Sequence, residues 1–250
     1  MSGELINNRQ VLQVTGADRV AFLQGLVTND VDKLKDGLVY AALLSPQGKY
    51  LADFFLVPAP DAILIDVDAA LAPGLLKRLT MYRLRADVEI TPIDMEVARG
   101  LGPAPQETFL DPRHPTLGWR SYGLGGIARG TNWDVIRVAH LVPETGVELV
   151  PDESYILEMN FEQLNGVDFK KGCYVGQEVT ARMKHKTELR KGLAQVSLPD
   201  RATAGTPITT AEGKPVGILH TVAGCRGLAY LRFDRAKGDM KAGDALVKMV

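Results

Sequence analysis

The stretch KGCYVGQE, Lys171 to Glu178, combines residue types that could carry out chemistry. Cys173 follows the lysines Lys170 and Lys171 and lies just before Gly176, near which the pattern allows a helix to begin. Positive charge and a helix N-terminus both favour the thiolate form of cysteine, which is its nucleophilic and metal-binding form. A cysteine can equally be a small, buried apolar residue without a chemical role. The residues alone leave a reactive thiol, a ligand-binding loop and a buried thiol open.

The segment around this stretch, residues 168–192, is locally basic. It contains seven Lys or Arg residues against three acidic ones, a balance of +4 in a chain whose formal net charge is −1. Such a patch can hold a phosphate group or the carboxylate tail of a small molecule. A run of charge is also typical of a solvated helix and loop, in which Glu178 and Arg182 would form an ordinary pair four residues apart.

Several familiar catalytic signatures are absent from the sequence. No GxxxxGK[ST], GxSxG, HExxH or CxxC pattern occurs, and the glycines of GLGGIARG (residues 123–130) are wrongly spaced for GxGxxG. We therefore expect GLGGIARG to be a surface loop. The only two cysteines, Cys173 and Cys225, are fewer than the four ligands of a usual structural zinc site or iron–sulfur cluster, so we expect no self-contained metal site.

The composition is that of an ordinary soluble globular protein, with 46% hydrophobic and 24% charged residues. A net charge of −1 gives no electrostatic reason for direct binding to nucleic acid or to a membrane. The first residues lack a secretory pattern, no uncharged apolar run reaches about 18 residues, and two cysteines make no disulfide framework. We expect a monomer in the reducing environment of the cytoplasm.

Hydrophobic periodicity predicts alternating strands and helices in the first part of the chain. Strands are expected at residues 9–16, 61–67 and 85–93, a hairpin at 38–57, and helices within 16–30 and 69–84, the second with Pro73 in its first turn.

The later part of the chain predicts a change of architecture. Residues 100–132 are rich in Gly and Pro and are expected to be mostly loop. WDVIRVAHLV (133–142) is predicted to be a strand, and PDESYILEMNFEQLNG (151–166) a helix capped by Asp152. The tail from residue 190 has short alternating strands between Gly, Pro and Asp turns, which predicts a small antiparallel barrel.

KGCYVGQE followed by ARMK resembles the signature Lys-Gly-Cys-aromatic-x-Gly-Gln-Glu-x-x-x-Arg of the YgfZ family. These folate-binding proteins are related to the glycine-cleavage T-protein, an aminomethyltransferase, and have a mitochondrial iron–sulfur assembly factor as a eukaryotic relative. The resemblance extends to VTGADRVAFLQGLVTNDV, YAALLSPQGKYLADFFL, YRLRADVEI and the final barrel, which follow in the family's order.

The resemblance implies an α+β fold with T-protein-like lobes around a central channel and a small C-terminal antiparallel β-barrel. It implies a folate-binding region at residues 1–188, with two lobes that meet within 95–130, and a barrel at 189–250. The implied cofactor is tetrahydrofolate or a one-carbon derivative of it, bound in the channel.

The resemblance also implies site residues. Cys173 becomes the candidate reactive thiol, and its basic setting before a predicted helix leads us to expect that it is partly exposed. A pterin ring needs an acidic or amide group for its aminopyrimidine edge, for which Asp53 and Glu158 are candidates. The implied folate-binding residues are Asp53, Glu158, Lys171, Gly172, Tyr174, Gly176, Gln177, Glu178 and Arg182, with no metal ligand among them.

The residues and the resemblance are compatible with three functions. The first is a tetrahydrofolate-binding accessory protein that assembles or repairs iron–sulfur enzymes, including those that thiolate tRNA, through transient contacts with client or assembly proteins. The second is a tetrahydrofolate-dependent aminomethyl or methyl transferase, with Asp53 as general base. The third is an interaction module that uses the basic face without folate. The cysteine favours the first, because T-protein chemistry asks for no thiol.

Overall fold

The structure, a computed structural model, describes residues 3–185 and 188–250. Its contacts group the chain into two compact units. The first comprises Met1–Gly130 and Glu162–Val179, and the second comprises Thr131–Phe161 and Thr180–Val250. Residues 131–161 thus group with the C-terminal part of the chain. The predicted functional boundary between residues 188 and 189 stays a prediction.

The first unit contains two five-stranded sheets. One sheet has the strand order β3-β4-β5-β2-β6 and the other the order β10-β1-β7-β9-β8. Two α-helices and two short 3₁₀ helices connect the strands. The strands are β1 (Gly3–Leu5), β2 (Arg9–Thr15), β3 (Val39–Leu44), β4 (Tyr50–Ala59), β5 (Ala62–Asp68), β6 (Glu89–Ile93), β7 (Val97–Gly100), β8 (Phe109–Leu110), β9 (Trp119–Tyr122) and β10 (Gly126–Ile127). The helices are α1 (Arg19–Gln24), α2 (Ala72–Arg83) and the 3₁₀ helices Val31–Asp36 and Pro115–Leu117.

The β3-β4-β5-β2-β6 sheet is antiparallel throughout and buries one face against α1 and α2. Leu23 of α1 and Leu79 of α2 pack in the same core as Phe54 and Ile65 of the sheet. Burial of side chains of this size contributes roughly 1.5–3 kcal/mol each. The predicted strands, the hairpin and the helix with Pro73 near its start are confirmed here.

The predicted loop at residues 100–132 is wrong in part, because the segment contributes β8, β9 and β10 to the second sheet. GLGGIARG likewise contains β10, which pairs in parallel with β1 through Gly3 and Gly126. Gly100 leaves room for the indole ring of Trp119, since a Cβ on Gly100 would lie 2.3 Å from it. The partner of β10 is β1, at the other end of this unit's sequence, while β8 pairs with the nearby β9. These strands have only two to four residues each, so the surrounding Gly and Pro content conceals them.

The second unit is built around a closed six-stranded antiparallel barrel, as predicted. Its core contains Val196, Ile208, Leu219 and Leu231. The strand order is β11-β14-β13-β12-β15-β16. The elements are α3 (Trp133–Ala139), α4 (Gln177–Lys184), which begins in the first unit, β11 (Lys191–Ser197), β12 (Pro207–Thr210), β13 (Pro215–Ala223), β14 (Arg226–Arg232), β15 (Met240–Ala242) and β16 (Ala245–Met249).

Two elements predicted between residues 133 and 166 are wrong. The expected strand at 133–142 is the helix α3, whose buried residues Trp133, Arg137 and Val138 follow helical spacing. The expected helix at 151–166 is a series of turns. Asp152 and Asn160 have φ angles of 63° and 64°, which Asp and Asn tolerate in turns but which end a helix. Asp152 is therefore not a helix cap.

Among the described residues, no helix is long and apolar enough to cross a membrane.

Candidate functional site

Residues 168–176, here called the motif loop, lead from Asp168 to the start of α4. The Asp168 carboxylate accepts hydrogen bonds from the backbone N–H groups of Lys170 (2.7 Å) and Lys171 (3.2 Å). It also forms an ion pair with Lys33 at 2.7 Å. Although burial alone would raise the pKa of Asp168, these hydrogen bonds and Lys33 lower it overall. The loop is therefore fixed at its first residue.

Lys171 anchors the motif loop from the inside. Its side chain is buried, and Nζ donates to the backbone carbonyls of Gln24 (2.9 Å), Val27 (2.7 Å) and Asn29 (2.8 Å). Three N–H donors meet one carbonyl of the last residue of α1 and two carbonyls just after it, so an ammonium group satisfies this cluster fully. Burial lowers the pKa of Lys171 to about 8, although the charges of Asp30 and Asp168 oppose this.

Thr28 and Asn29, in the segment after α1, hold the chain just before the motif loop. The Thr28 hydroxyl donates to the Gly166 carbonyl at 2.7 Å, and Asn29 Nδ2 donates to the Asn165 carbonyl at 2.6 Å. Both side chains are buried. Sequence reasoning missed these two residues. The available signal was a pair of polar residues placed directly after the apolar run of α1.

The end of the motif loop lies against the β3–β4 turn. Gly176 has a φ of 82°, which favours glycine, and a Cβ added there would lie 2.6 Å from the Ser45 carbonyl oxygen. A Cβ on Gly48 would lie 2.8 Å from Val179. Glycine is thus required at position 176 both for backbone conformation and for close approach.

Cys173 is exposed, at the part of the loop between the Lys171 anchor and the Gly176 contact. Gly172 beside it is exposed too, and a Cβ there would meet nothing within 4 Å. The expectation that the thiol reaches solvent is confirmed, and its reactivity stays a prediction. Cys225, in the turn between β13 and β14, is also exposed.

The remaining residues of the signature differ in their surroundings. Tyr174 is buried, and its ring lies 5.4 Å from Lys171 Nζ. Gln177 is half-buried and opens α4, with its N–H donating to the Tyr174 carbonyl at 3.2 Å. Glu178 and Arg182, on α4, are exposed. The signature therefore combines buried anchors with an exposed thiol and exposed charges.

Asp53 lies on β4 with only 7% of its surface exposed. One carboxylate oxygen accepts from the Tyr40 hydroxyl at 3.0 Å and the other from the Tyr50 hydroxyl at 2.7 Å. Burial, together with the neighbouring charge of Asp53, raises the pKa of Tyr40 well above its usual value. Tyr40 and Tyr50 therefore act as hydroxyl donors that hold this carboxylate. Sequence reasoning selected Asp53 but missed Tyr50.

Two arginines stack on the aromatic rings of the same sheet. The Arg113 guanidinium lies 5.3 Å from the ring centre of Tyr40 and 4.8 Å from that of Phe55. Arg120 lies 4.2 Å from the Phe55 ring centre. Each arginine is paired with a buried carboxylate at 2.7 Å, Arg113 with Asp111 and Arg120 with Asp66.

Asp66 joins the two sheets of the first unit. On β5, it pairs with Arg9 of β2 at 2.6 Å and with Arg120 of β9 at 2.7 Å, and it accepts from Tyr122 at 2.9 Å. Burial would raise the pKa of Asp66, but the two guanidinium groups lower it overall. A carboxylate inside the apolar stretch DAILIDV was the signal that could have revealed this buried network.

Glu158 belongs to the second unit. Its carboxylate accepts from the Tyr230 hydroxyl of β14 at 2.6 Å, and its carbonyl accepts from the Leu193 N–H at 2.7 Å. Burial and Glu158 together raise the pKa of Tyr230. The predicted helix around Glu158 is wrong, yet the side chain is held in place by the barrel.

The carboxylates of Asp53 and Glu158 are the kind of hydrogen-bond acceptor that a pterin ring requires. A pterin edge presents N–H donors, which require acceptors such as carboxylates. Asp53 and Glu158 are acceptors already oriented by tyrosine hydroxyls, and a carboxylate has roughly four acceptor positions. Within residues 3–185 and 188–250, no three His, Cys, Asp or Glu side chains group as ligands for a metal ion.

Comparison with solved structures confirms the T-protein-like α+β fold. The chain matches glycine cleavage system aminomethyltransferase T from Bartonella henselae with a TM-score of 0.76 over 98% of this chain and 83% of that one, at 15% sequence identity. Residues 190–250 match the family model of the CAF17 C-terminal beta-barrel domain.

Sequence comparison identifies relatives over most of the chain. It is 33% identical to the mitochondrial iron–sulfur cluster assembly factor IBA57 homolog of Mycosarcoma maydis, over 81% of this chain and 58% of that protein. It is 30% identical to mitochondrial IBA57 of Homo sapiens, over 94% of this chain and 78% of that protein. The mitochondrial names of these relatives contradict the expectation of a cytoplasmic location. By this identity and coverage, the chain belongs to the IBA57 family of iron–sulfur cluster assembly factors.

Proposed function

We propose that this protein is a tetrahydrofolate-binding accessory protein of the YgfZ type, acting in mitochondria in the assembly or repair of iron–sulfur enzymes. The observation that carries the proposal is the exposed Cys173 on a loop held by the buried Lys171 and by Gly176. An accessory protein needs a reachable group on a rigid base. One thiol cannot supply a full set of cluster ligands, so the cluster is cargo shared with a client or assembly protein.

Tetrahydrofolate is the proposed cofactor. Asp53 and Glu158 are the acceptors proposed for its pterin, and the motif residues Lys171, Gly172, Tyr174, Gly176, Gln177, Glu178 and Arg182 are proposed to contribute to its site. When bound, the folate would supply a carrier for one-carbon groups. Membership of the IBA57 family and the aminomethyltransferase-like fold support this assignment. We further propose that the clients include iron–sulfur enzymes that thiolate tRNA.

The test of the accessory role compares the two exposed cysteines. Cells lacking the gene receive the wild type, Cys173→Ala or Cys225→Ala, and iron–sulfur enzyme activity is measured with and without folate depletion. We expect wild type and Cys225→Ala to restore activity and Cys173→Ala to fail at equal protein level. Folate depletion should weaken the rescue by wild type. Full rescue by Cys173→Ala contradicts the proposal.

The cofactor assignment is tested separately by calorimetric titration of the purified protein with tetrahydrofolate. Asp53→Asn and Glu158→Gln remove the charge of each carboxylate with little change of shape. We expect each to weaken binding about tenfold or more, as charge-assisted hydrogen bonds are worth about 1.5–3 kcal/mol. If tetrahydrofolate does not bind at concentrations up to millimolar, the folate assignment is wrong. The result of the cysteine test would be unaffected.

The transferase alternative gains no support from the surroundings of Asp53. To act as general base, this carboxylate would take a proton from a substrate amine while it already accepts from Tyr40 and Tyr50. The alternative predicts that purified protein forms methylenetetrahydrofolate from an aminomethylated carrier. We expect no turnover.

A further inference from the structure

The C-terminal end of α2 exposes apolar side chains beside basic ones. Met81, Tyr82 and Leu84 are 68%, 37% and 87% exposed. The α2-end surface comprises these residues and the exposed cations Lys77, Arg78 and Arg85.

Packing within the fold does not require these side chains. The buried face of α2 consists of Ala72, Leu75 and Leu79, which pack against the adjacent sheet. Met81 and Leu84 point away from that core. The helix α2 therefore packs through one apolar stripe, and its C-terminal end has a second, exposed group of apolar side chains.

The turn after α2 holds Leu84 in a backbone conformation that is unusual for leucine. The Ala86 N–H donates to the Arg83 carbonyl at 2.8 Å, so residues 83–86 form a β-turn. Leu84, its second residue, has φ 45° and ψ −104°, which corresponds to a type II′ turn. Glycine is the preferred residue at this position, and a side chain there is strained. Neither backbone conformation nor burial therefore accounts for a leucine.

The three cations of the α2-end surface have no partner in the part of the chain that the structure describes. Among the described residues, Lys77, Arg78 and Arg85 form no ion pair and no side-chain hydrogen bond. Three uncompensated cations around exposed apolar groups are complementary to a surface with carboxylates around an apolar pocket. Phosphate backbones would leave Met81 and Leu84 unused, and anchoring to a lipid surface needs a larger apolar area. An apolar centre with a charged rim is the arrangement of protein interfaces.

We propose that the α2-end surface docks an acidic segment of a partner protein, with Met81 and Leu84 inserted between apolar side chains and the three cations paired with carboxylates. The docking site is distinct from the motif loop and does not depend on the folate-linked role. Its failure would leave that role standing.

The experiment uses the full-length protein and a synthetic acidic helix of roughly 18 residues, with leucines on one face and glutamates flanking them. Binding is measured by calorimetry at low salt for the wild type and for Met81→Ser/Leu84→Ser, Arg78→Glu/Arg85→Glu and Leu84→Gly. Leu110→Ser, at another exposed leucine, and Lys214→Glu/Lys241→Glu are the matched controls. Poly-glutamate, a single-stranded RNA and vesicles of phosphatidylcholine with phosphatidylglycerol are the competing probes.

We expect each double variant of the surface to bind the helix about tenfold more weakly, and the controls to bind like the wild type. Leu84→Gly separates function from stability: it should unfold at a temperature about 2–4 °C higher because strain is relieved, yet bind more weakly. Wild-type affinity in Met81→Ser/Leu84→Ser or in Leu84→Gly overturns the proposal. So does tighter binding of poly-glutamate, RNA or vesicles than of the amphipathic helix.

Discussion

Two buried cations hold different regions of this protein by different chemistry. In the first unit, Lys171 holds the motif loop through three backbone carbonyls. In the second unit, Arg137 of α3 is held by the carboxylates of Glu148 (3.1 Å), Glu144 (3.1 Å) and Asp134 (3.0 Å). One anchor thus relies on neutral dipoles and the other on opposite charges.

The pKa values of the two cations follow from this difference. Burial lowers the pKa of Lys171 to about 8, since carbonyl dipoles only partly replace its lost hydration. Burial also acts to lower the pKa of Arg137, but Glu148, Glu144 and Asp134 raise it overall. The lysine anchor can therefore change its charge near neutral pH, whereas the arginine anchor is permanently charged. The motif loop, which contains the exposed Cys173, is thus held by the cation whose charge can change.

The largest effect is expected for Glu148→Ala in the second unit. Glu148 is buried and accepts from Arg137, from the Thr221 hydroxyl and from the Glu144 N–H. Its removal leaves a buried guanidinium with only partly exposed partners and should cost about 3–5 kcal/mol of unfolding free energy. Urea unfolding combined with hydrogen exchange of the barrel amides measures this. Glu144→Ala, at an exposed partner of the same arginine, should cost less than about 1 kcal/mol; equal losses would contradict the comparison.

Lys171→Met should follow with a loss of about 3 kcal/mol, because two buried carbonyls and one partly buried carbonyl lose their donor while the aliphatic stem is kept. The loss should appear in the exchange of amides in residues 24–30 and 168–176, and the barrel should stay protected. The rate at which a thiol reagent modifies Cys173 should change as well. Lys170→Met, at the exposed neighbouring lysine, serves as control and should stay within about 0.5 kcal/mol of wild type. If both variants behave alike, Lys171 is not the anchor.

Gly176→Ala tests the other end of the motif loop. The positive φ and the approach of a Cβ to the Ser45 carbonyl should together cost about 2 kcal/mol. Gly172→Ala, four residues earlier, has open space and no positive φ and should change the unfolding free energy by less than about 0.5 kcal/mol. Thermal unfolding of the two variants measures this difference. A loss for Gly172→Ala as large as that for Gly176→Ala would show that position 176 has no special requirement for glycine.

The sequence predicted more of the fold than of the contacts at the site. Alternation predicted β2 and the barrel strands, which alternate between more and less buried positions. Apolar runs bounded by turn residues predicted β3, β4 and β5, because these strands are buried on both faces. The motif drew attention to Cys173, and its exposure is confirmed. The carbonyls that Lys171 binds lie 142 to 147 residues earlier in the chain, so no local pattern could indicate them. The turns of residues 151–166 were missed for a different reason, because the spacing of their apolar residues resembles that of a helix.

The prediction most specific for the lysine anchor is the pH dependence of its contribution to stability. The pKa of Lys171 falls from 10.5 to about 8 on folding. Between these values the unfolded chain binds more protons than the folded one, so the contribution of Lys171 to stability rises with pH in this window and is constant below it. The difference in unfolding free energy between wild type and Lys171→Met, measured in urea from pH 7 to pH 10, should therefore increase above about pH 8. Taking the difference cancels every other titrating group, and the corresponding difference between wild type and Glu148→Ala should stay flat because Arg137 does not titrate there. Parallel wild-type and Lys171→Met curves would show that Lys171 is as well solvated in the folded protein as in the unfolded chain, and the contrast between the two anchors would then be lost.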